Sequence, residues 1–267
     1  MDPFSEIIKP GSWPLRFCLV LVGIALMSAA PSRAAEAETK RWTLLDGSSV
    51  EGTFITIIGT DCVLRTPKGS QVRVPMERFS DEDVLFIELS CPPVVEIDFI
   101  KNLDTVLFSE GYYGQFPREP ERHGNFGLRV KQTSAGHYRH ELRAELYVVA
   151  QQLGVPDKKC FLLDRQDFTF HLTEENKRTV QFMSGRNVRL QNWNFQYNDS
   201  KAVNRGEIYY GYLIVIIDSR GEVVHIQASR NWFEEHFENL RKLGIGNFFD
   251  DECNRCFPGR PVPLRWG

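Results

Sequence analysis

Tyr138-Arg139-His140-Glu141-Leu142-Arg143-Ala144-Glu145-Leu146-Tyr147-Val148 is the stretch on which the fold class turns. Leu142, Ala144, Leu146 and Val148 stand at every second position, and Glu141, Arg143, Glu145 and Tyr147 fill the places between them. A period of two puts the first set on one face of a pleated strand. The same residues partly satisfy a helix, because Leu142 and Leu146, like Glu141 and Glu145, lie about one helical turn apart. The unbroken alternation decides for strand.

Outward from this stretch the rhythm continues. Phe168, Phe170 and Leu172 alternate with Thr169 and His171; Val188 and Leu190 follow, then Trp193, Phe195 and Tyr197. Tyr209 to Ile217 is an apolar strand, Asp218-Ser219-Arg220-Gly221 turns the chain, and Glu222 to Ala228 returns, which is a hairpin signal. One helix of about three turns is expected near residues 232–242. Asn231 is its cap, Glu234 stands three residues on, Phe233, Phe237 and Leu240 share a face, and Gly244 lies just past the end. Residues 138–267 therefore predict a β-sandwich or similar two-layer sheet structure with one C-terminal helix.

Towards the N-terminus, Cys91-Pro92-Pro93 marks a boundary, since the prolines lack donors and favour an extended path. Residues 91–137 read as linker and irregular structure: Phe116 to Arg122 is charged and proline-bearing, and Tyr112, Tyr113 and Phe116 form a candidate packing cluster. Before the boundary, residues 38–90 hold short alternating segments with turns at Asp46-Gly47-Ser48, Gly59-Thr60-Asp61 and Pro67-Lys68-Gly69. Such short strands predict a small antiparallel barrel. Ser80 caps a short helix, with Asp83 at the capping-box position and Val84, Phe86 and Ile87 packing back on the barrel.

The pattern Arg41-Trp42-Thr43, Asp46-Gly47, Gly52-Thr53-Phe54, Val63-Leu64-Arg65, Lys68-Gly69, Val72-Arg73-Val74-Pro75 and Phe79-Ser80-Asp81-Glu82-Asp83 resembles the SLA homology domain. The likeness covers residues 40–89 and departs at Leu44-Leu45, where a polar turn is usual, and at Pro67, where Lys is frequent. That family is an SH3-like module of a fungal endocytic adaptor, where it binds short peptides containing Asn-Pro-Phe, and similar modules occur in secreted bacterial proteins. The resemblance implies an SH3-like barrel that recognises a peptide or protein partner. Arg65 and Arg73 come together on neighbouring strands, with Lys68 at the tip of their hairpin, and Trp42, at the opening of the first strand, is either core, the favoured reading, or the floor of the groove. Guanidinium beside an aromatic suits a short motif bearing an aromatic anchor and a carboxylate.

Phe17 to Met27 is an uninterrupted apolar run preceded by Lys9 and Arg16 and followed by small residues, the order of a secretory signal peptide. It falls short of the roughly 20 residues a membrane-spanning helix needs. Cleavage is expected after Ala34, with Ala35-Glu36-Ala37 as a second candidate site, which makes residues 1–34 the signal and places the remainder outside the cytoplasm, secreted or periplasmic; a segment kept as an N-terminal anchor is the alternative. No later segment is apolar enough to span a membrane. The net charge of −3 gives no footprint for nucleic acid.

Five cysteines lie beyond the signal: Cys62, Cys91, Cys160, Cys253 and Cys256. Cys253-Asn254-Arg255-Cys256 has the spacing of a redox pair or half a zinc site; a structural cysteine or a disulfide is expected instead, because the motif follows a helix and no second pair closes a metal site. His137, His140 and Glu141 are metal-ligand types, but a strand sends the two histidines to opposite faces. No nucleophile elbow, phosphate loop or dinucleotide fingerprint is present. No catalytic residue, cofactor or metal is therefore expected. The sequence favours an extracytoplasmic adaptor or scaffold, with association between copies left open. The competing class is a secreted enzyme whose site lies in residues 138–267.

Overall fold

The computed structural model describes residues 39–106, 121–134, 138–195 and 203–261. The signal-peptide segment, the cluster of Tyr112, Tyr113 and Phe116, and His137 lie outside them. Residues 38–267 make one compact unit, within which two lobes are distinguished by their sheets.

The N-terminal lobe is a four-stranded antiparallel sheet in the order β1 (Lys40–Thr43), β2 (Ser49–Ile58), β3 (Asp61–Arg65) and β4 (Gln71–Pro75). It is not the closed barrel that the sequence predicts. A 3-10 turn, Met76–Arg78, carries the chain back towards β1, and a single bridge joins Leu44 to Phe79. Two backbone bonds support that bridge, Leu45 N to the Arg78 carbonyl at 2.8 Å and Ser80 N to the Thr43 carbonyl at 3.0 Å. Helix α1 (Asp81–Ser90) follows, and the Ser80 hydroxyl accepts from Asp83 N, as expected of a cap. The Asp83 carboxylate turns to β1 instead, accepting from Thr43 N at 2.7 Å and pairing with Lys40 at 2.8 Å. Val84 and Ile87 then seal a core made by Trp42, Leu64, Val74 and Phe79.

The second lobe begins earlier than the sequence suggests. β5 (Val95–Val106) and β6 (Glu121–Gln132) occupy most of what reads as linker, pairing along their whole lengths. The alternation Val95, Ile97, Phe99 is present but short, and the Gly- and Pro-rich stretch between the two strands masks it. β7 (Tyr138–Leu153) is the strand that its alternation predicts, and β8 (Lys159–Leu172), β9 (Thr179–Met183), β10 (Val188–Phe195), β11 (Val203–Ile217) and β12 (Val223–Ala228) follow.

Strand β10 makes the corner. Its first half pairs with β6 and its second half with β11, so the sheet turns over on itself. β5, β6 and β9 then face β7, β8 and β11 across one core. Phe99 of β5 stacks on Tyr212 of β11 at 4.1 Å, and Phe168 of β8 on Phe182 of β9 at 4.7 Å, although neither pair of strands is hydrogen-bonded. The result is the mostly-β, sandwich-like architecture expected of this region.

The outer face of β7, β8 and β11 is also buried, by Phe233, Phe237, Leu240 and Leu243. Two covered faces explain why Leu213 to Ile217 is apolar without interruption. The predicted three-turn helix is two pieces, α2 (Asn231–Glu235) and α3 (Phe237–Leu240), broken at His236, whose φ of −112° and ψ of 24° leave the helical region. Arg230, not Asn231, holds the cap position and makes no side-chain cap bond. β13 (Phe248–Phe249) and β14 (Arg255–Cys256) extend the sheet beyond β8. Among the described residues no helix is long and apolar enough to cross a membrane.

Candidate functional site

Register alone assembles the basic rim. Thr53, Arg65 and Gln71 stand opposite one another across β2, β3 and β4, and Thr56, Val63 and Arg73 form the next row. Directly paired residues share a face, so Arg65 and Arg73 project from the same side as diagonal neighbours, about 7–8 Å apart at their backbones. Both are exposed, and neither has an ion-pair partner among the described residues. Lys68 sits in the turn that joins β3 to β4, held by Thr66 N to the Ser70 carbonyl and Gly69 N to the Thr66 carbonyl, each 2.8 Å. Gly69 at φ 83° supplies the left-handed backbone this turn requires.

Trp42 does not join them. It faces the opposite side of the sheet, 1% exposed, edge-on to Phe79 and Phe86, with its indole N–H donating to the Gly52 carbonyl at 2.8 Å. Lys40 closes over the Trp42 and Phe86 rings at 4.8 and 4.2 Å. Every part of the indole is occupied, so it is core and not groove floor.

Of the two expectations for Cys253 and Cys256, structural cysteine or disulfide, the disulfide is not formed; both thiols are free. The Asp250 carboxylate accepts from Glu252 N and Asn254 N and shapes the segment into a turn, with Cys253 at φ 58°. That turn sends Cys253 inward against the helix-covered core, while Cys256 lies in β14 opposite Phe248. Burial pushes the Cys253 thiol up to about 12 and that of Cys160 to about 11, so both behave as small apolar groups. Among the described residues no group of three His, Cys, Asp or Glu side chains is placed to hold a metal ion. His140 instead places Nε2 2.9 Å from the Leu85 carbonyl of α1.

A second concave feature lies where the lobes meet, a cleft of about 750 Å³. Its walls are the β2–β3 turn with Asp61, the 3-10 turn with Glu77, α1 with Glu88, and the start of β7 with Tyr138 and Arg139. Glu88 is 2% exposed in the last turn of α1, an end that disfavours negative charge. Arg139 compensates, its backbone N–H donating at 3.0 Å and its guanidinium standing 3.7 Å away. Tyr138 is 4% exposed and its hydroxyl has no hydrogen-bond partner among the described residues. Burial, reinforced by the negative charges of Asp218 and Glu88 against the opposing Arg220, pushes the phenol up to about 12, so it remains an O–H donor at neutral pH.

Sequence reasoning found the rim because one hairpin carries it. It missed the cleft because five separated segments build it, and Tyr138 reads only as an apolar position of an alternating strand.

No family model matches the chain, and no curated protein does. A crystal structure from Akkermansia muciniphila is similar at 12% identity over 57% of this chain and 77% of its own, with a TM-score of 0.21, too weak a likeness to carry an argument.

Proposed function

We propose that this chain is an extracytoplasmic binding protein, an adaptor or scaffold that recognises a peptide or protein partner through the outward face of β3 and β4. The observation that carries the reading is the pair Arg65 and Arg73, exposed on one face without ion-pair partners among the described residues, with Lys68 beside them. Three cations around one hairpin attract an acidic ligand, and guanidinium groups hold carboxylates in two-point geometry. The likeness to a peptide-binding SH3-like module, and the apolar run that marks the chain for export, point the same way. With Trp42 buried, the ligand's aromatic group has no indole floor to rest on.

The test is a calorimetric titration of residues 38–267 with a blocked peptide in which Phe is followed by two Asp residues. Arg65→Ala and Arg73→Ala are each expected to weaken binding about fivefold and to flatten its salt dependence. Unchanged affinity and unchanged salt slope in both variants would remove the rim from the reading.

A further inference from the structure

We infer that the open edge of β5 is where two copies of this chain join, antiparallel and edge to edge, about a two-fold axis at Ile100. This goes beyond the reading of the basic rim and does not depend on it.

The open edge follows from the direction of the backbone groups. β5 ends the path of its sheet and pairs with β6 along one side only. In an antiparallel ladder successive residues point their N–H and C=O alternately towards a neighbouring strand and away from it. The Val94 carbonyl accepts from Thr133 N, one step beyond the β5–β6 register, so the even-numbered residues of β5 are the ones that bond β6. β6 agrees from its other side. Gln132 N donates to the Arg178 carbonyl and the Phe126 carbonyl accepts from Ser184 N, so the residues opposite Val95 and Lys101 bond away from β5. Val95, Ile97, Phe99, Lys101, Leu103 and Thr105 therefore aim their N–H and C=O groups at the open side, where these groups have no partner among the described residues.

This edge lacks the usual guards. It runs 12 residues with no proline and no register shift, whereas the other path ends, β1, β4 and β14, have 4, 5 and 2 residues. The one cation on its edge-bonding row, Lys101, lies over the Tyr209 ring at 4.9 Å. A long straight edge is a template for another strand.

Parity and charge fix the occupant. Two copies of β5 exchange backbone bonds only where odd residues meet odd residues, so the axis passes through a residue and like faces adjoin. With the axis at Ile100 the whole strand is used. On the inner face Phe99 meets the partner's Lys101, Ile97 the partner's Leu103, and Val95 the partner's Thr105. On the outer face Ile100 meets the partner's Ile100, and Asp98 meets the partner's Asn102. Arg129 uses only Oδ2 of Asp98, which leaves Oδ1 to accept from that amide. The one like-charge pair, Glu96 with the partner's Asp104, falls at the strand ends, opposite Lys131 and His123 of β6. Moving the axis to Lys101 sets two lysines face to face and Asp98 against Asp104; moving it to Phe99 sets Asp98 against Ile100. The strand is its own complement in one register.

The experiment follows residues 38–267 by sedimentation velocity over a dilution series, with far-ultraviolet dichroism and thermal melts to report folding. The parent is expected to pass from monomer to dimer as concentration rises. Ile100→Glu and Ile100→Lys each set like charges face to face across the axis and are each expected to weaken self-association about tenfold or more. An equimolar mixture of the two is expected to restore the dimer as a mixed pair. Lys101→Pro removes an N–H that faces the open side, so it is expected to abolish dimerisation with little change in melting temperature, whereas Lys101→Ala keeps that N–H and dimerises. Asn102→Pro removes an N–H bonded to β6 and is expected to destabilise the lobe. A parent that stays monomeric at every concentration overturns the inference and leaves the edge to a strand of another protein. A mixture that stays monomeric, a Lys101→Pro variant that dimerises like the parent or melts as low as Asn102→Pro, or equal loss in Lys101→Ala and Lys101→Pro would each overturn it as well.

Discussion

Trp42 and Tyr138 are both buried aromatic residues carrying one polar hydrogen, and they differ in what that hydrogen meets. The indole N–H of Trp42 reaches the Gly52 carbonyl at 2.8 Å, whereas the hydroxyl of Tyr138 meets nothing among the described residues. Gly52 is essential to the first arrangement: a Cβ there would stand 2.8 Å from the Arg65 carbonyl oxygen, so any side chain would press β2 away from β3. Trp42→Phe keeps most of the packing against Phe79 and Phe86 but strands the Gly52 carbonyl. It is expected to lower the unfolding free energy by about 1–2 kcal/mol in a urea titration, with acidic-peptide affinity unchanged while the protein is folded. A drop in affinity matching that of Arg65→Ala would return Trp42 to the binding face. From sequence the two roles of Trp42 look alike. A four-residue strand fixes which residues share its face, but not which face its neighbours will cover.

Elements bury what they carry according to what lies on both sides. β7 was readable as a strand because Leu142, Ala144 and Leu146 enter the sandwich core, while Glu145 between them sits 3% exposed on the opposite face. There the Tyr147 hydroxyl donates to the carboxylate at 2.6 Å, and Arg143 and Arg241 each donate at 2.9 Å. Arg241 lies just beyond α3, and its carbonyl accepts from Arg165 of β8 at 2.8 Å, so the end of the helical segment is tied to the sheet by polar bonds as well as by Phe237 and Leu240. These ties explain the break at His236. A regular three-turn helix has to choose one straight line, whereas Phe233, Phe237, Leu240 and Leu243 must all reach a twisted sheet. The periodicity of those residues was legible; the bend depended on the surface beneath, which sequence does not display. Arg241→Met is expected to cost about 1–3 kcal/mol, because Glu145 keeps Arg143 and Tyr147 but loses one charged donor. Amide exchange should quicken across residues 231–243 and stay slow in β7. Uniform quickening throughout the lobe would mean that Arg241 supports the whole sheet and not the helical segment.

At the scale of the whole molecule, the contacts that hold the two lobes together also shape the cleft. α1 is gripped by the Arg139 backbone N–H on Glu88, by His140 on the Leu85 carbonyl, and by Arg220, which donates to the Leu89 carbonyl at 3.0 Å. Arg220 belongs to the β11–β12 turn, which the sequence announces as Asp218-Ser219-Arg220-Gly221; its second duty, as a clasp on another lobe, is invisible there. The clasp is set by Asp218, whose side chain is fully buried. Burial opposes its charge, but the Arg220 guanidinium at 2.8 and 3.0 Å and the backbone N–H groups of Glu222 and Arg220 outweigh that and hold the carboxyl below its ordinary range. A carboxyl whose folded value is depressed contributes stability that is present above its unfolded value, about 4, and lost as pH falls through the folded one. Arg220→Ala removes a half-exposed partner from a buried charge, so its cost should lie between the about 1 kcal/mol of a surface pair and the about 3 kcal/mol of a buried one. The expected signature is a change in cooperativity. At pH 7 the parent should unfold in urea as a single transition followed equally by tryptophan fluorescence and by far-ultraviolet dichroism. In Arg220→Ala the two probes should separate, because the small N-terminal sheet then melts before the sandwich. Titrating the parent downward from about pH 4 through the depressed range in which Asp218 takes up its proton should reproduce that separation, whereas Arg220→Ala should lose little more on the same descent. Coincident probes in Arg220→Ala at pH 7 would show that the lobes are coupled through α1 and β7 alone, without the clasp.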